Sequence, residues 1–453
     1  MDINIQRAVS ASSNYAIIPR TMNIGLQTWG SEGDIRPFIA LAAGLVQAGH
    51  QVALVVADNA GRDYSGFARR YGFTLHTVSN PLSAEPVEID AVWRALISAG
   101  NPLKQLRMIL KYGFDPIMEE MYTAARHLCV GKDLVVGHFF VFPLRVAAEM
   151  AGVPVATVST VYNCIPSSAV CPSGFPDIGR WSYPLEWKIA RMILNHVFLP
   201  RVNALRIREG LSPDKDVMAD TWAAEKLNLI AVSKRIWQRP ADWDGRHQVC
   251  GFLNLPGESN FEELPKGLEA FLASGPAPIY ITFGSMMPDS LPYIRETVSL
   301  VAAAIKLVGC RAILQISWGD LSLFETDPLI FKVVRTAHSK VFPLCRAIVH
   351  HGGAGTTQSS LLAGKPSVVV AHIADQRFWG AELRRLGVTG VTLTRNSLSS
   401  IKLAREINNV LNDTAMAKRA SSIGQELSRE DGVSEAVRLI EKIFPQNAYT
   451  GLL

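Results

Sequence analysis

The segment with the clearest chemical pattern is a glycine-rich turn between an apolar strand and a helix. It has the sequence AIVHHGGAGTTQSS from Ala347, and His350 and His351 stand at the end of the strand. The residues of the turn and the first helical turn are Gly352, Gly353, Gly355, Thr356 and Thr357. Glycines let backbone N–H groups approach an anion, and a helix N-terminus adds unsatisfied donors and a positive dipole. The pattern predicts a phosphate or diphosphate ligand, although a tight turn without a ligand would use the same glycines.

Two further polar segments in the same half of the chain could bind the rest of such a ligand. Ser285 follows the apolar run PIYITFG, and its hydroxyl could hold the other side of a diphosphate, with an ordinary strand-to-helix turn as the alternative. Asp375 and Gln376 follow the apolar run PSVVVA, and adjacent carboxylate and amide groups suit the hydroxyls of a sugar ring. A helix cap by Asp375 is the competing interpretation, and the two roles can coexist. The turn at His351 lacks both G-x-x-x-x-G-K-[ST] and G-x-G-x-x-G, which disfavours an ATPase or a dehydrogenase.

These segments need a sheet to bring them together, and the sequence predicts two. The first unit begins at Met22 with an apolar run, which predicts a strand. It continues with the loop WGSEGD, which contains Gly30 and Gly33, then a helical segment and a second predicted strand, QVALVVAD. Apolar runs and helical segments then alternate, and a second series starts at Pro278 with PIYITFGSM. This alternation predicts the α/β class, with two doubly wound, Rossmann-like domains that face a central crevice.

Composition shifts predict where these domains begin and end. We expect a loose N-terminal leader over residues 1–21, a first domain over 22–237, a linker over 238–265 and a second domain over 266–453. The last helical segment, near Val433, could cross back to the first domain. An amphipathic stretch between Phe175 and Glu209 is rich in Trp, Arg and Leu. It is interpreted as a cover for the core, with a membrane-binding helix as the alternative.

Composition also bounds the class of protein. The chain has 453 residues, of which 48% are hydrophobic and 19% charged, so it can bury large cores. Lys and Arg number 45 against 40 for Asp and Glu, which provides no concentrated field for nucleic acid. The six cysteines lack metal-ligand spacing, and no uninterrupted apolar run reaches about 18 residues. These features predict a cytoplasmic protein, and peripheral membrane contact is left open.

The sequence closely resembles the GT-B glycosyltransferases that use nucleotide sugars, in the branch of sterol glucosyltransferases and antibiotic glycosyltransferases. The resemblance extends from Met22 to about Ile443, and HHGGAGTT followed by DQ is its most specific part. The segments that carry it are GSEGDIRPFIALAAGLVQAGH, TFGSM, HSKVFPLCRAIVHHGGAGTTQSSLLAGKP and DQRFWGAEL. The resemblance implies that the first domain binds the acceptor and the second the nucleotide sugar.

Site residues follow from the resemblance position by position. It places the sugar hydroxyls on Asp375 and Gln376, and it implies inverting transfer without an essential metal or a tightly bound cofactor. It places the diphosphate on Ser285, His351, Gly353, Gly355 and Thr356. Plant relatives stack the base on a Trp where this chain has Arg335, whose guanidinium plane can also stack on a base. Two D-x-D segments, at Asp214 and Asp242, are interpreted as solvated turns rather than metal ligands.

Inverting transfer to a hydroxyl needs a base on the wall opposite the leaving group. Asp34 ends the first glycine-rich loop, three residues before Pro37, where plant relatives carry a His. We predict that Asp34 is the base, with an N-cap of the helix starting near Pro37 as the alternative. His138, after the run DLVVGH, could line the acceptor side or be a structural histidine.

These observations predict the donor and the acceptor. UDP-glucose is the expected donor, and the acceptor is expected to be a sterol-like or other lipophilic compound with a hydroxyl. Its pocket is expected between residues 81 and 175, where apolar side chains are frequent. The alternatives are rhamnosyl-type transfer of a deoxysugar from a dTDP donor to a lipid or polyketide, and a catalytically silent sugar-nucleotide-binding partner protein.

Overall fold

A computed structural model describes residues 21–79, 86–255, 263–284, 290–316 and 321–445. The predicted leader therefore lies almost wholly outside the described residues. Two parallel sheets make up the fold, each covered by helices, as the alternation of apolar runs and helical segments predicts. This confirms the expected α/β class with two Rossmann-like domains.

The first sheet has seven strands in the order β3-β2-β1-β4-β5-β6-β7. Its central strand β1 is paired on both sides, so that Ile24 lies between Val52 and Leu134. The strands are β1 Asn23–Gly30, β2 Gln51–Asp58, β3 Thr74–Val78, β4 Leu134–His138, β5 Val155–Ser159, β6 Asn228–Ile230 and β7 His247–Val249. β7 lies inside the segment predicted as a linker and pairs with β6. The domain limits themselves stay predictions.

The second sheet has six strands in the order β10-β9-β8-β11-β12-β13. This strand order repeats that of the first sheet. In both sheets the first three strands are laid down toward one edge, and the fourth strand then pairs on the other side of the first strand, β1 or β8. The strands are β8 Ile279–Thr282, β9 Ala312–Gln315, β10 Ile330–Val333, β11 Ile348–His350, β12 Ser367–Ala371 and β13 Leu393–Thr394.

The helices that cover the sheets bury an apolar side and follow most strands. They are α1 Glu32–Gln47, α2 Ser65–Tyr71, α3 Pro86–Ser98, α4 Pro102–Ile109, α5 Met118–Cys129, α6 Phe142–Ala151, α7 Tyr183–Arg208, α8 Leu268–Ala273, α9 Leu291–Val308, α10 His338–Val341, α11 Ala354–Leu362, α12 Ala374–Arg385, α13 Ser400–Asn412, α14 Thr414–Leu427 and α15 Gly432–Ile443. α15 packs on α1, with Val433 and Ile440 in the core of the first domain.

Helix α1 begins earlier than the sequence suggested. It starts at Glu32 and not near Pro37, and its N-cap is Ser31. The alternative interpretation of Asp34 as the N-cap is therefore wrong, because Asp34 lies in the first helical turn. Its carboxylate Oδ2 still supports that turn by accepting hydrogen bonds from Ser31 N at 2.9 Å and Ser31 Oγ at 3.0 Å.

Strand order sets the position of the site. In each sheet the chain reverses its direction of winding between the first strand and its later neighbour, at β1 and β4 and again at β8 and β11. A crevice opens at such a point beyond the carboxyl ends of the strands. The segments singled out from the sequence lie at the carboxyl ends of strands. Gly30 is the last residue of β1, His138 is the last residue of β4, and His351 comes directly after β11.

Candidate active site

The glycine-rich turn presents the N-terminus of α11 to the crevice. The first hydrogen bond within this helix is donated by Thr357 N to Gly353 O at 2.9 Å. The backbone N–H groups of Ala354, Gly355 and Thr356 therefore precede that bond and are free to donate to a ligand. Together with the helix dipole they suit a diphosphate. A Cβ on Gly355 would meet nothing within 4 Å, so the space in front of this helix end is open.

Gly284 and Gly353 make room for the imidazole of His351. A Cβ at Gly353 would lie 2.3 Å from His351 Nε2, and a Cβ at Gly284 would lie 2.4 Å from His351 Cε1. Neither glycine could carry a side chain without moving this buried ring. Burial lowers the pKa of His351 to about 4, so the ring is neutral near pH 7. These glycines therefore make room for a neutral histidine beside the N-terminus of α11, besides giving the backbone its freedom.

Several buried polar atoms around this turn have no hydrogen-bond partner among the described residues. They are His350 Nε2, His351 Nδ1, His372 Nε2 and Thr357 Oγ1. Burial lowers the pKa of His350 and of His372 to about 3, so both are neutral as well. Buried groups without a partner are rare in folded proteins. Their concentration at one crevice is typical of a site that a polar ligand completes.

The segment after β12 contributes Asp375 and Gln376 from the first turn of α12. Gln376 Oε1 accepts hydrogen bonds from His372 N at 2.7 Å and Ile373 N at 3.2 Å, so its carbonyl caps the helix. Asp375 remains open to the crevice. Burial, and then the charge of Asp34, raise the pKa of Asp375 to about 6. The contribution of Asp34 places the two carboxylates, one from each domain, within electrostatic range of each other.

Asp34 and His138 form a pair on the wall of the first domain. His138 Nε2 lies 3.8 Å from Asp34 Oδ1, which is too long for a hydrogen bond but close enough for attraction. Phe140 N donates to His138 Nδ1 at 3.4 Å, which places the ring proton on Nε2, toward Asp34. Burial lowers the pKa of His138, and Asp34 only partly opposes this effect. His138 is therefore a neutral, buried neighbour of Asp34.

Gly30 allows this geometry, because a Cβ there would lie 2.4 Å from Asp34 Oδ2. The residue has φ +134°, in the region that favours glycine. Gly33 has no such neighbour, since the nearest atom to its Cβ would be Ser31 Oγ at 3.5 Å. Of the two predicted loop glycines, only Gly30 is required by a close contact.

Arg335 reaches across the crevice to the first domain. Its Nη2 lies 3.1 Å from Glu32 Oε1 at the start of α1. Burial alone would raise the pKa of Glu32, but Arg36 and Arg335 outweigh it and lower that pKa to about 2. Glu32 is therefore ionised at neutral pH and holds one edge of the guanidinium. The planar face of the guanidinium could still stack on a base, and that role stays a prediction.

A second cross-domain contact uses the side chain of Gln358 in α11. Its Oε1 accepts from Ser233 N at 3.1 Å, and its Nε2 donates to Ala231 O at 3.2 Å. Gln358 thereby ties the helix of the glycine-rich turn to the chain just after β6. The opposite side of the crevice has a similar contact, in which Asn396 Nδ2 donates to Ile97 O at 2.7 Å.

The structure brings together most of the predicted residues. Asp34 and Asp375 lie within electrostatic range of each other, and His351, Gly353, Gly355 and Thr356 lie together at the turn before and within α11. Ser285 lies outside the described residues. Sequence reasoning missed Glu32 and Gln358, and it gave His138 no definite role. No local pattern distinguishes these three, because their contacts join segments that are far apart in the chain.

The two D-x-D segments are engaged in structural contacts. Asp214 pairs with Arg206 at 2.9 Å, and Asp216 accepts from the backbone N–H groups of Met218 and Ala219. Asp242 accepts from Ser168 N at 2.6 Å. Among the described residues no three His, Cys, Asp or Glu side chains are grouped so that they could hold a metal ion. Transfer without an essential metal stays a prediction.

A cavity of about 210 Å³ lies in the first domain beside β5, β6 and β7. Its lining includes the apolar side chains of Phe139, Met218 and Trp222. The ring of Phe139 is 4.8 Å from that of His138, so the cavity reaches close to the Asp34 wall. Most of the lining lies after residue 175, outside the segment that the sequence suggested for the acceptor pocket.

No helix among the described residues has the length and apolar content needed to cross a membrane.

Comparisons with known proteins bear on this geometry. Residues 325–443 match the family model described as "Erythromycin biosynthesis protein CIII-like, C-terminal domain". The chain is 30% identical over 456 residues to O-mycaminosyltylonolide 6-deoxyallosyltransferase of Streptomyces fradiae, covering 93% of this chain and 97% of that protein. It is 26% identical over 457 residues to a sterol 3-beta-glucosyltransferase of Arabidopsis thaliana, covering 96% of this chain and 70% of that protein.

Solved structures agree on the fold. The crystal structure of the Streptomyces sp. SF2575 glycosyltransferase SsfS6, complexed with thymidine diphosphate, matches with a TM-score of 0.59 and 17% identity. The match covers 93% of this chain and 99% of that one. At this identity the likeness shows the fold alone.

Proposed function

The chain belongs to the GT-B glycosyltransferases, the group that includes antibiotic and sterol glycosyltransferases, and we propose that it transfers glucose from UDP-glucose to a lipophilic alcohol. The acceptor proposed is a sterol-like compound or another apolar molecule with a hydroxyl. The observation that carries the proposal is that Asp34 of the first domain lies within electrostatic range of Asp375, which belongs to the second domain together with the N-terminus of α11.

Asp34 is proposed as the base that takes the proton of the acceptor hydroxyl. Its Oδ2 is held by Ser31, which leaves Oδ1, on the side of His138, to accept a proton. The ring N–H of His138 points toward Oδ1 of Asp34, and His138 is proposed to orient this carboxylate as a positioning residue. A carboxylate within hydrogen-bond reach of a hydroxyl can act as its general base.

The second domain is proposed to bind the donor and stabilise the leaving group. The N–H groups of Gly355 and Thr356, the helix dipole and the neutral ring of His351 suit the charge that develops on the departing diphosphate. Asp375 would accept hydrogen bonds from the sugar hydroxyls, with Gln376 beside it and Arg335 against the base. Attack from the Asp34 wall, opposite the diphosphate, inverts the anomeric carbon, and the transition state resembles an oxocarbenium ion. No step requires a metal.

Transfer of a deoxysugar from a dTDP donor is the second candidate. It is supported by the names of a 6-deoxyallosyltransferase relative and of a matching structure that contains thymidine diphosphate. The acceptor would again be a lipid or polyketide alcohol.

The test begins with calorimetry of the purified protein with UDP and with dTDP. It continues with UDP-glucose and, separately, a dTDP-deoxysugar, each with a panel of sterols and macrolide alcohols and with product masses measured. We expect a hexose gain that persists with a chelator present. A deoxyhexose gain would favour the second candidate. Binding without transfer to any acceptor would indicate a silent binding protein, and no uptake of either nucleotide would overturn the proposal.

A further inference from the structure

Helix α7 and the turn before it expose five large apolar side chains. The exposed fractions are 55% for Ile178, 78% for Trp181, 62% for Leu185, 40% for Ile189 and 70% for Met192. We call these five residues the Trp181 face. Single exposed apolar residues are normal on protein surfaces, but a contiguous set of this size indicates an interaction site.

The spacing of these residues makes the face continuous. Leu185, Ile189 and Met192 follow each other at intervals of four and three residues, so they lie on one side of the helix. The other side is in the core, where Trp187 and Ala190 are buried. The helix therefore has an apolar side packed in the core and an apolar side that stays exposed among the described residues.

Trp181 is held in an outward position. Its Nε1 donates to Ile178 O at 3.0 Å, which satisfies the polar group of the indole. The ring consequently presents mainly carbon to its surroundings. An exposed indole with its N–H already bonded suits the boundary between water and an apolar phase.

Cations flank the Trp181 face. Arg180 and Lys188 are exposed, and neither forms an ion pair with another described residue. Arg191, the next cation along the helix, is paired with Asp216 at 2.9 Å. Of the nearby acids, Asp177 accepts from Tyr183 Oη at 2.7 Å, and Glu186 is turned inward and buried. The apolar stripe is therefore bordered by positive charge that lacks a partner within the described chain.

We propose that the Trp181 face docks on the surface of an anionic phospholipid bilayer, with α7 lying in the plane of the interface. An apolar stripe flanked by cations is the pattern of interfacial helices, because apolar side chains enter the acyl boundary while Lys and Arg bind anionic headgroups. Arg191 of the same helix also lines the cavity of the first domain, so docking brings that cavity to the membrane. The proposal does not depend on the proposed sugar transfer.

Vesicle co-sedimentation of the purified full chain tests this proposal. The vesicles contain either phosphatidylcholine alone or equal parts of phosphatidylcholine and phosphatidylglycerol. The variant is W181S/L185S, and its matched control is L307S/I401S, which removes two apolar side chains that are 63% and 72% exposed on the second domain. A charge variant, R180E/K188E, tests the headgroup contact. Thermal unfolding verifies that all variants are folded.

We expect the wild type to bind the anionic vesicles and to be released by salt. W181S/L185S should lower the partition coefficient by about tenfold or more, since each side chain loses its burial in the interface. R180E/K188E should lower binding to anionic vesicles only, and L307S/I401S should match the wild type. Absence of wild-type binding at low salt, or equal loss in the control, would overturn the proposal. A third result would also overturn it: the wild type fails to bind vesicles but forms a dimer, and W181S/L185S dissociates that dimer. The Trp181 face would then join two copies of this chain.

Discussion

At the scale of single residues, the two oxygens of the Asp34 carboxylate have different surroundings. Oδ2 is fixed by the N–H and hydroxyl of Ser31, whereas Oδ1 lies on the side of the buried His138. One oxygen therefore serves the helix and the other is open to chemistry. This division suggests how the structural and proposed catalytic roles of Asp34 can be separated by experiment.

We expect D34N to lower kcat by about 100-fold or more, because general base catalysis contributes on that order. Asn retains an oxygen that can accept from Ser31 N, so α1 should keep its N-terminal support. The Kd for UDP should change little, since Asp34 lies on the wall opposite α11. Steady-state rates and calorimetry measure the two effects. The control S31A removes one hydrogen bond to Oδ2 and keeps the carboxylate, so equal losses in both variants would contradict the proposed base.

At the scale of elements, the turn between β11 and α11 contains glycines that differ in purpose. Gly353 leaves room for the ring of His351, whereas Gly355 stands beside open space. Both were expected from the sequence to let the backbone approach an anion. Only the packing around the turn shows that Gly353 is required by the ring of His351, whereas Gly355 could be required by a ligand.

Alanine at each position should separate these purposes. G353A should lower both the Tm and the affinity for UDP, because its Cβ would collide with His351. G355A should keep or raise the stability, by up to about 1 kcal/mol, since Ala is the better helix former. It should nevertheless weaken UDP binding about tenfold if the diphosphate occupies the open space. Thermal unfolding and calorimetry report the two quantities. A G355A protein that binds UDP like the wild type would remove Gly355 from the site.

At the scale of the whole molecule, side chains from one domain hold the other on several sides of the crevice. Arg335 pairs with Glu32, Gln358 bonds to the chain after β6, and α15 returns from the second domain to pack on α1. These contacts join the two walls of the crevice directly. Of these contacts, the pair of Arg335 and Glu32 involves the side chain that is proposed to stack on the nucleotide base.

A double-mutant cycle tests whether Glu32 and Arg335 act together on the donor. R335A should raise the donor KM about tenfold if the guanidinium stacks on the base. E32Q should raise it less, because an unpaired Arg335 is only poorly oriented. The double variant should be no worse than R335A, since Glu32 acts through Arg335. Steady-state kinetics with UDP-glucose measure all four proteins. Additive losses would show that the two residues contribute independently.

The sequence by itself determined the α/β class, and it predicted a phosphate-binding turn at His351 and the candidate residues Asp34, Asp375 and Gln376. These depend on periodicity and turn chemistry within short segments, which are local properties. Tertiary structure alone decided that Asp34 comes within electrostatic range of Asp375, that His138 lies beside Asp34 and that Arg335 meets Glu32. It also decided which side of α7 remains exposed. Such contacts join residues about 100 to 340 positions apart in the chain, and no local pattern can encode which distant partner packing will bring near.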